Sequence, residues 1–245
     1  MMNNYEGPSE FFPEKYLNKD MGFGGHTMKE VARLYNKLYV RKDYDWFRGV
    51  EPNDVVVDLG AGFGGFTLHA IDRGAAKVYA FEDDEVKFKQ LISNIPWGDN
   101  LNATIIPRKD GVSDNKSFLK LMEESGIDKI DFLKVDLNGG EYKVITEEHI
   151  GFLREQVKHM VVTFHVNCFR EAPFEWVRAK RVLQFFANDG YAWNVELSPI
   201  NGAKVHWIDK TESQFSRDHT DIMTQGTWPI DHHKYPVEFT VTVTN

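Results

Sequence analysis

Five short stretches carry the residues able to do chemistry: VVVDLGAGFGGF at 55–66, VYAFEDD at 78–84, RKDG at 108–111, VDLNGGE at 135–141 and TFHV at 163–166. In the first, three valines run into Asp58 and then into a glycine-rich turn. Glycine there lets the chain turn sharply and lets a ligand touch backbone, since no Cβ intervenes. Gly60, Gly62 and Gly65 also spell the dinucleotide fingerprint, so the loop calls for a nucleotide-type cofactor without choosing it. Asp58 is the discriminating residue. A diphosphate over the turn is repelled by an adjacent carboxylate, whereas an amino group gains a charge-assisted hydrogen bond from it. Asp58 with Gly60, Ala61 and Gly62 therefore favours S-adenosyl-L-methionine as the cofactor.

The remaining stretches supply carboxylates and one imidazole. Glu82 stands at the end of the second strand, where a carboxylate can take both ribose hydroxyls of any adenine cofactor. Asp83 beside it is either a further cofactor contact or the N-cap of the next helix. Asp110, before Gly111, approaches the adenine edge or sits in a plain turn. Asp136 is a candidate for both donor binding and catalysis, and Glu141 a candidate for catalysis; capping of the following turn and of a helix dipole is the alternative for the pair. His165 is the candidate general base, with Asn167 orienting the acceptor. Asp136, His165 and Asn167 also have ligand types suited to a divalent metal, but three residues from two loops are too few to assign one. His232, His233 and Cys168 have no motif around them that gives them a role.

These residues need a scaffold that brings strand ends together. Val55 to Leu59 is continuously apolar apart from Asp58, as expected of a parallel strand covered on both faces. A helix from Phe66 to Arg73 stopping at Gly74 follows, then a strand at 77–81, a helix around Phe88, Leu91, Ile92 and Ile95, and a strand at 103–107. Next come a short helix at 116–125, a strand at 130–137, a helix from about Glu141, a strand at 160–166 and a helix at 174–188. The expected fold is α/β: a doubly wound, Rossmann-like, mostly parallel sheet, with ligands beyond the carboxyl ends of the strands. In VEFTVTVT the apolar residues alternate with threonine, which predicts an antiparallel C-terminal strand. Thr27 and Glu30 form a capping box for a helix with Val31, Leu34, Tyr35, Leu38 and Tyr39 on one face. Residues 1–26 read as an arm, either a lid or an extension packed on a single domain at 27–245, and 199–235 as an elaborated loop region.

The chain has 245 residues, 42% of them apolar and 13% aromatic, enough for one substantial core and too apolar for disorder. Its net charge of −8 argues against nucleic acid as a partner. One cysteine precludes an internal disulfide, and no apolar run is long enough for a membrane span or a secretory leader, so a cytoplasmic protein with no membrane partner is expected.

In their order and spacing, VVVDLGAGFGGFTLHA, VYAFEDD, DFLKVDLNGGEYKVI and MVVTFHV resemble the FkbM-type class I S-adenosylmethionine-dependent methyltransferases, over about Val50 to Val166. The third block is the more specific signal. The resemblance implies O-methylation of a hydroxyl, often on a sugar or natural-product scaffold, with a small-molecule or carbohydrate acceptor. The family usually has an acid where Asn138 stands, and often another before the histidine, where this chain has Thr163 and Phe164. Two other readings stay open: an NAD-dependent oxidoreductase, on the literal glycine spacing, and an S-adenosylmethionine-binding scaffold without turnover, on Asn138.

Overall fold

The computed structural model describes residues 36–40, 42, 44–45, 48–95, 103–113, 116–165, 192–197 and 238–244. Outside them lie the expectations for 1–26 and 199–235, for Thr27 to Tyr35, for Asn167 and Cys168, for the helix at 174–188 and for His232 and His233.

Among the described residues seven strands form one sheet: β1 (Val55–Leu59), β2 (Lys77–Phe81), β3 (Thr104–Arg108), β4 (Ile130–Val135), β5 (Val157–His165), β6 (Ala192–Leu197) and β7 (Glu238–Thr244), in the order β3-β2-β1-β4-β5-β7-β6. The first five pair in parallel. β7 pairs antiparallel with both β5 and β6. The helices are α1 (Gly65–Asp72), α2 (Glu85–Asn94), α3 (Phe118–Glu124) and α4 (Ile150–Gln156).

Both faces of the central strands are covered, which is why β1 has almost no polar residues. Val57, Leu59, Leu133, Val135, Val162 and Phe164 pack on one side with Phe118 and Leu121 of α3 and Leu153 of α4. Val56, Val78, Phe132 and Val161 pack on the other with Phe66 and Ala70 of α1. Leu38 and Tyr44 join that second cluster. Leu38 lies in a π-helical turn, Asn36–Val40, which brings the segment before β1 against the same face.

Local departures from expectation have local causes. In place of one helix from about Glu141 there are two 3-10 turns, Gly140–Lys143 and Glu147–His149, before α4 begins at Ile150. The β-branched run Val144, Ile145, Thr146 disfavours α-helix at that point. The N-cap of α2 is Asp84 and not Asp83: its Oδ1 accepts from Val86 N at 3.0 Å and Lys87 N at 2.9 Å. β4 stops at Val135, two residues before the expected end, and so releases Asp136 and Leu137 toward the strand ends. β5 starts at Val157, directly after α4.

Candidate functional site

A cavity of about 470 Å³ opens at the carboxyl ends of β1, β2, β3 and β4, within the range typical of small-molecule sites. The turn after β1 forms one wall, from Gly60 to Phe63; Glu82, Asp83 and Asp84 form a second; Asp110 and Gly111 stand at the third strand end, and Asp136 to Asn138 at the fourth. Four strand ends thus bring together most of the residues singled out from sequence. Asp58, Glu141 and His165 stand outside this lining.

The glycine turn is shaped by contact and by ligand room in different places. A Cβ on Gly60, whose φ is +77°, would lie 2.1 Å from the Asp136 carbonyl oxygen, so the turn can lie against β4 only with glycine there. A Cβ on Gly62, at φ +58°, would meet nothing within 4 Å, because that residue faces the open cavity. Gly60 N and Ala61 N both donate to Phe81 O, at 3.0 and 2.9 Å, and Gly62 N donates to Glu82 Oε2 at 2.7 Å. Glu82 Oε1 accepts from Asp84 N at 3.0 Å, so this carboxylate links the glycine turn to the start of α2.

Asp58 differs from expectation. Its side chain is fully buried beneath the turn, where Oδ2 accepts from Thr67 Oγ1 at 2.7 Å and Oδ1 from Lys134 Nζ at 2.9 Å. Parallel register sets Asp58 alongside Lys134 on the same sheet face, and a buried acid needs such a partner. The contrast between diphosphate and ammonium therefore does not act through Asp58, which the lysine neutralises and the sheet conceals. Lys134 also donates to Leu59 O at 3.3 Å and to Gly60 O at 2.7 Å, using its three protons to hold the turn. Sequence reasoning passed over Lys134. The available signal was a lysine in the buried strand IDFLKV, which requires an anion beside it.

Asp136 is where two further unanticipated residues converge. Lys37 Nζ lies 2.6 Å from Oδ2, and Tyr44 Oη donates to the same oxygen at 2.9 Å. Lys37 also donates to Thr163 Oγ1 at 3.2 Å. Burial works to raise the Asp136 carboxyl, but the charges of Lys37, Lys134 and His165 outweigh it and hold the group well below the usual carboxylate range. Glu141, fully buried, accepts from Gly139 N at 2.9 Å, from His165 N at 2.5 Å and faces His165 Nδ1 at 3.3 Å. His165 Nε2 is 3.6 Å from Asp136 Oδ1. Asp110 accepts from Gly111 N at 2.9 Å and pairs with Lys116 at 2.5 Å. Asn138 sits at φ +51°, a left-handed position that asparagine tolerates better than most residues. Among the described residues no group of three or more His, Cys, Asp or Glu is arranged to hold a metal ion, and no helix is long and apolar enough to cross a membrane.

A doubly wound sheet whose glycine turn and strand-end acids share one cavity is the arrangement in which α/β folds of this kind place a ligand. Residues 114–192 match the family described as the methyltransferase FkbM domain, a span that includes β4, Asp136, Glu141 and His165. No curated protein matches the sequence. Among solved structures, the chain is similar to precorrin 8w decarboxylase from Methanobacterium thermoautotrophicum, at 21% identity and TM-score 0.45, over 90% of this chain and 92% of that one. It is similar to a candidate rRNA-methylase from Clostridium thermocellum, at 12% identity and TM-score 0.48, over 89% and 97%. Fibrillarin from Aeropyrum pernix, solved with natively bound S-adenosyl-L-methionine, gives 13% identity and TM-score 0.44 over 88% and 74%. Likenesses this distant assign no chemistry to the chain.

The exclusion of nucleic acid is not supported: the matched structures include candidate rRNA, RNA and tRNA methyltransferases, a description that holds for those proteins alone. The physical fault lies in using the total charge of −8, because a polyanion responds to the field of a local surface and not to the sum over the chain.

Proposed function

We propose that the chain is an S-adenosyl-L-methionine-dependent methyltransferase acting on a hydroxyl of a small molecule or sugar. The observation that carries the cofactor is the charge of the cavity wall. Among the described residues lining it are five acids, Glu82, Asp83, Asp84, Asp110 and Asp136, against two lysines, Lys87 and Lys134. Lys116 pairs with Asp110 and Lys37 with Asp136, so the acidic character of the wall rests on Glu82, Asp83 and Asp84, which favour a cationic ligand and weigh against a diphosphate despite the glycine spacing. Gly62 leaves room for a ligand to touch backbone, and the cavity volume suits an adenosine-sized molecule.

In this reading Glu82 takes the ribose hydroxyls, Asp83 and Asp110 stand near the adenine, and the Gly60 to Gly62 turn supports the amino-acid end. When bound, the cofactor supplies a methyl group on a cationic sulfur. The protein contributes placement of the acceptor oxygen against that carbon, and removal of its proton. In this reading His165, behind the lining, is the base: Nδ1 lies 3.3 Å from Glu141 Oε1, and Nε2, 3.6 Å from the cavity residue Asp136, is the nitrogen that receives the proton. O-methylation is supported by the resemblance in the strand-four block.

Calorimetric titration with S-adenosylmethionine and S-adenosylhomocysteine tests the cofactor. Heat and a thermal shift with both are expected; binding of NADH and of neither sulfur ligand would reverse the assignment. Donor binding without methyl transfer to any member of a broad hydroxyl panel would favour a scaffold.

A further inference from the structure

The buried state of Asp58 leaves open which carboxylate meets the amino group of the donor. Asp136 occupies the place Asp58 was expected to fill. Leu59 and Val135 are register partners, so Asp136 follows β4 where Gly60 follows β1. The Gly60 Cα approaches the Asp136 carbonyl closely enough to forbid a side chain, and both residues line the cavity. Asp136 thus stands beside Gly60, as Glu82 stands beside Gly62.

Its carboxylate is also prepared for one orientation. Lys37 and Tyr44, both from the segment before β1, bond to Oδ2. Oδ1 lies 3.6 Å from His165 Nε2, beyond ordinary hydrogen-bond distance. One oxygen is held and the other can accept from a ligand. The charged and titratable groups around it are Lys37 and Tyr44 on that segment, Lys134 on β4 and His165 on β5, with Asp58 beyond Lys134 and Glu141 beyond His165. Lys134 spends its donors on Asp58 and the glycine turn, which leaves Lys37 as the cation in direct contact with Asp136.

We propose that Asp136 receives the ammonium group of the methyl donor, and that Lys37, aided by Tyr44, is the positioning residue that keeps this carboxylate fixed and ionised. This assignment rests on the donor reading above, and it gives the segment before β1 a part in the site.

The test compares S-adenosylhomocysteine with 5′-methylthioadenosine, which has the adenosine and sulfur but no amino-acid portion. In calorimetry at pH 8, Asp136→Asn should weaken the first by about tenfold, the scale of one charge-assisted hydrogen bond, and leave the second within about twofold. Unchanged methylthioadenosine binding also shows that the variant is folded. Lys37→Met removes the cation that most opposes burial, so Asp136 should take up a proton at a higher pH than in the wild type as the solution is taken from pH 8 into the acid range. The ratio of the two affinities should then fall over that range in Lys37→Met, stay level in the wild type, and stay level again in Lys37→Arg.

Equal losses for both ligands in Asp136→Asn, or a pH-independent ratio in Lys37→Met, would overturn the assignment while leaving the donor reading intact. Wild-type protein that binds neither ligand would remove both.

Discussion

At the residue scale, two glycines of one turn do different things. Gly60 is required by the backbone of Asp136, 2.1 Å from where its Cβ would be, whereas Gly62 has empty cavity before it. Gly60→Ala should therefore cost both stability and donor binding, since a rigid carbonyl must move. Gly62→Ala should fold, with about 1–2 kcal/mol of left-handed strain, and lose donor affinity because a methyl group enters the cavity. Urea unfolding and calorimetry on the two variants separate the effects; equal stability of the pair would contradict the contact at Gly60. The glycine spacing was legible in the sequence, because it is a local demand of the turn. Which glycine serves packing and which serves the ligand was not, since the distinction depends on Asp136, 76 residues from Gly60.

At the scale of elements, the pairing of β1 with β4 explains the buried charge. Asp58 and Lys134 are register partners with side-chain exposures of 0% and 4%, so their attraction acts with little screening. Breaking such a pair strands one charge. Lys134→Met should lower the unfolding free energy by about 3–5 kcal/mol, and adding Asp58→Leu should recover most of it. Denaturant titration of the single and double variants checks this; a double variant no more stable than Lys134→Met would mean that the lysine acts through the glycine turn alone. The same elements show why helix reading failed after Asp136. Besides the β-branched run Val144, Ile145 and Thr146, Glu141 accepts from Gly139 N and from His165 N, and these contacts favour short turns over a continuous helix.

At the scale of the molecule, two apolar layers on either side of the sheet carry stability, and they enclose histidines as well. His159 is fully buried and packs on Phe132 with ring centroids 4.8 Å apart. Burial, with a smaller contribution from Arg48, pushes its imidazole down from 6.5 to about 3. The folded state therefore prefers the neutral ring. The stability this preserves is fully present above the unfolded value of 6.5 and is lost progressively as pH falls toward 3. His159→Phe should flatten that acid limb of the stability curve, measured by denaturant midpoints from pH 7 to pH 4. An unchanged limb would assign the acid sensitivity to other groups.

Sequence alone determined what depends on neighbours along the chain: the alternation of strands and helices, the glycine turn, the acids at strand ends and the strand-four block that resembles FkbM-type methyltransferases. Periodicity and turn chemistry are local properties, so they survive translation into letters. Tertiary structure alone decided which acids reach the cavity. Asp58 and Asp136 look equivalent as strand-end carboxylates, yet parallel register places Lys134 against the first and buries it, while Lys37 and Tyr44 arrive from another segment to hold the second. Charge partners separated by dozens of residues are chosen by register and packing, and those are settled only when the sheet has formed.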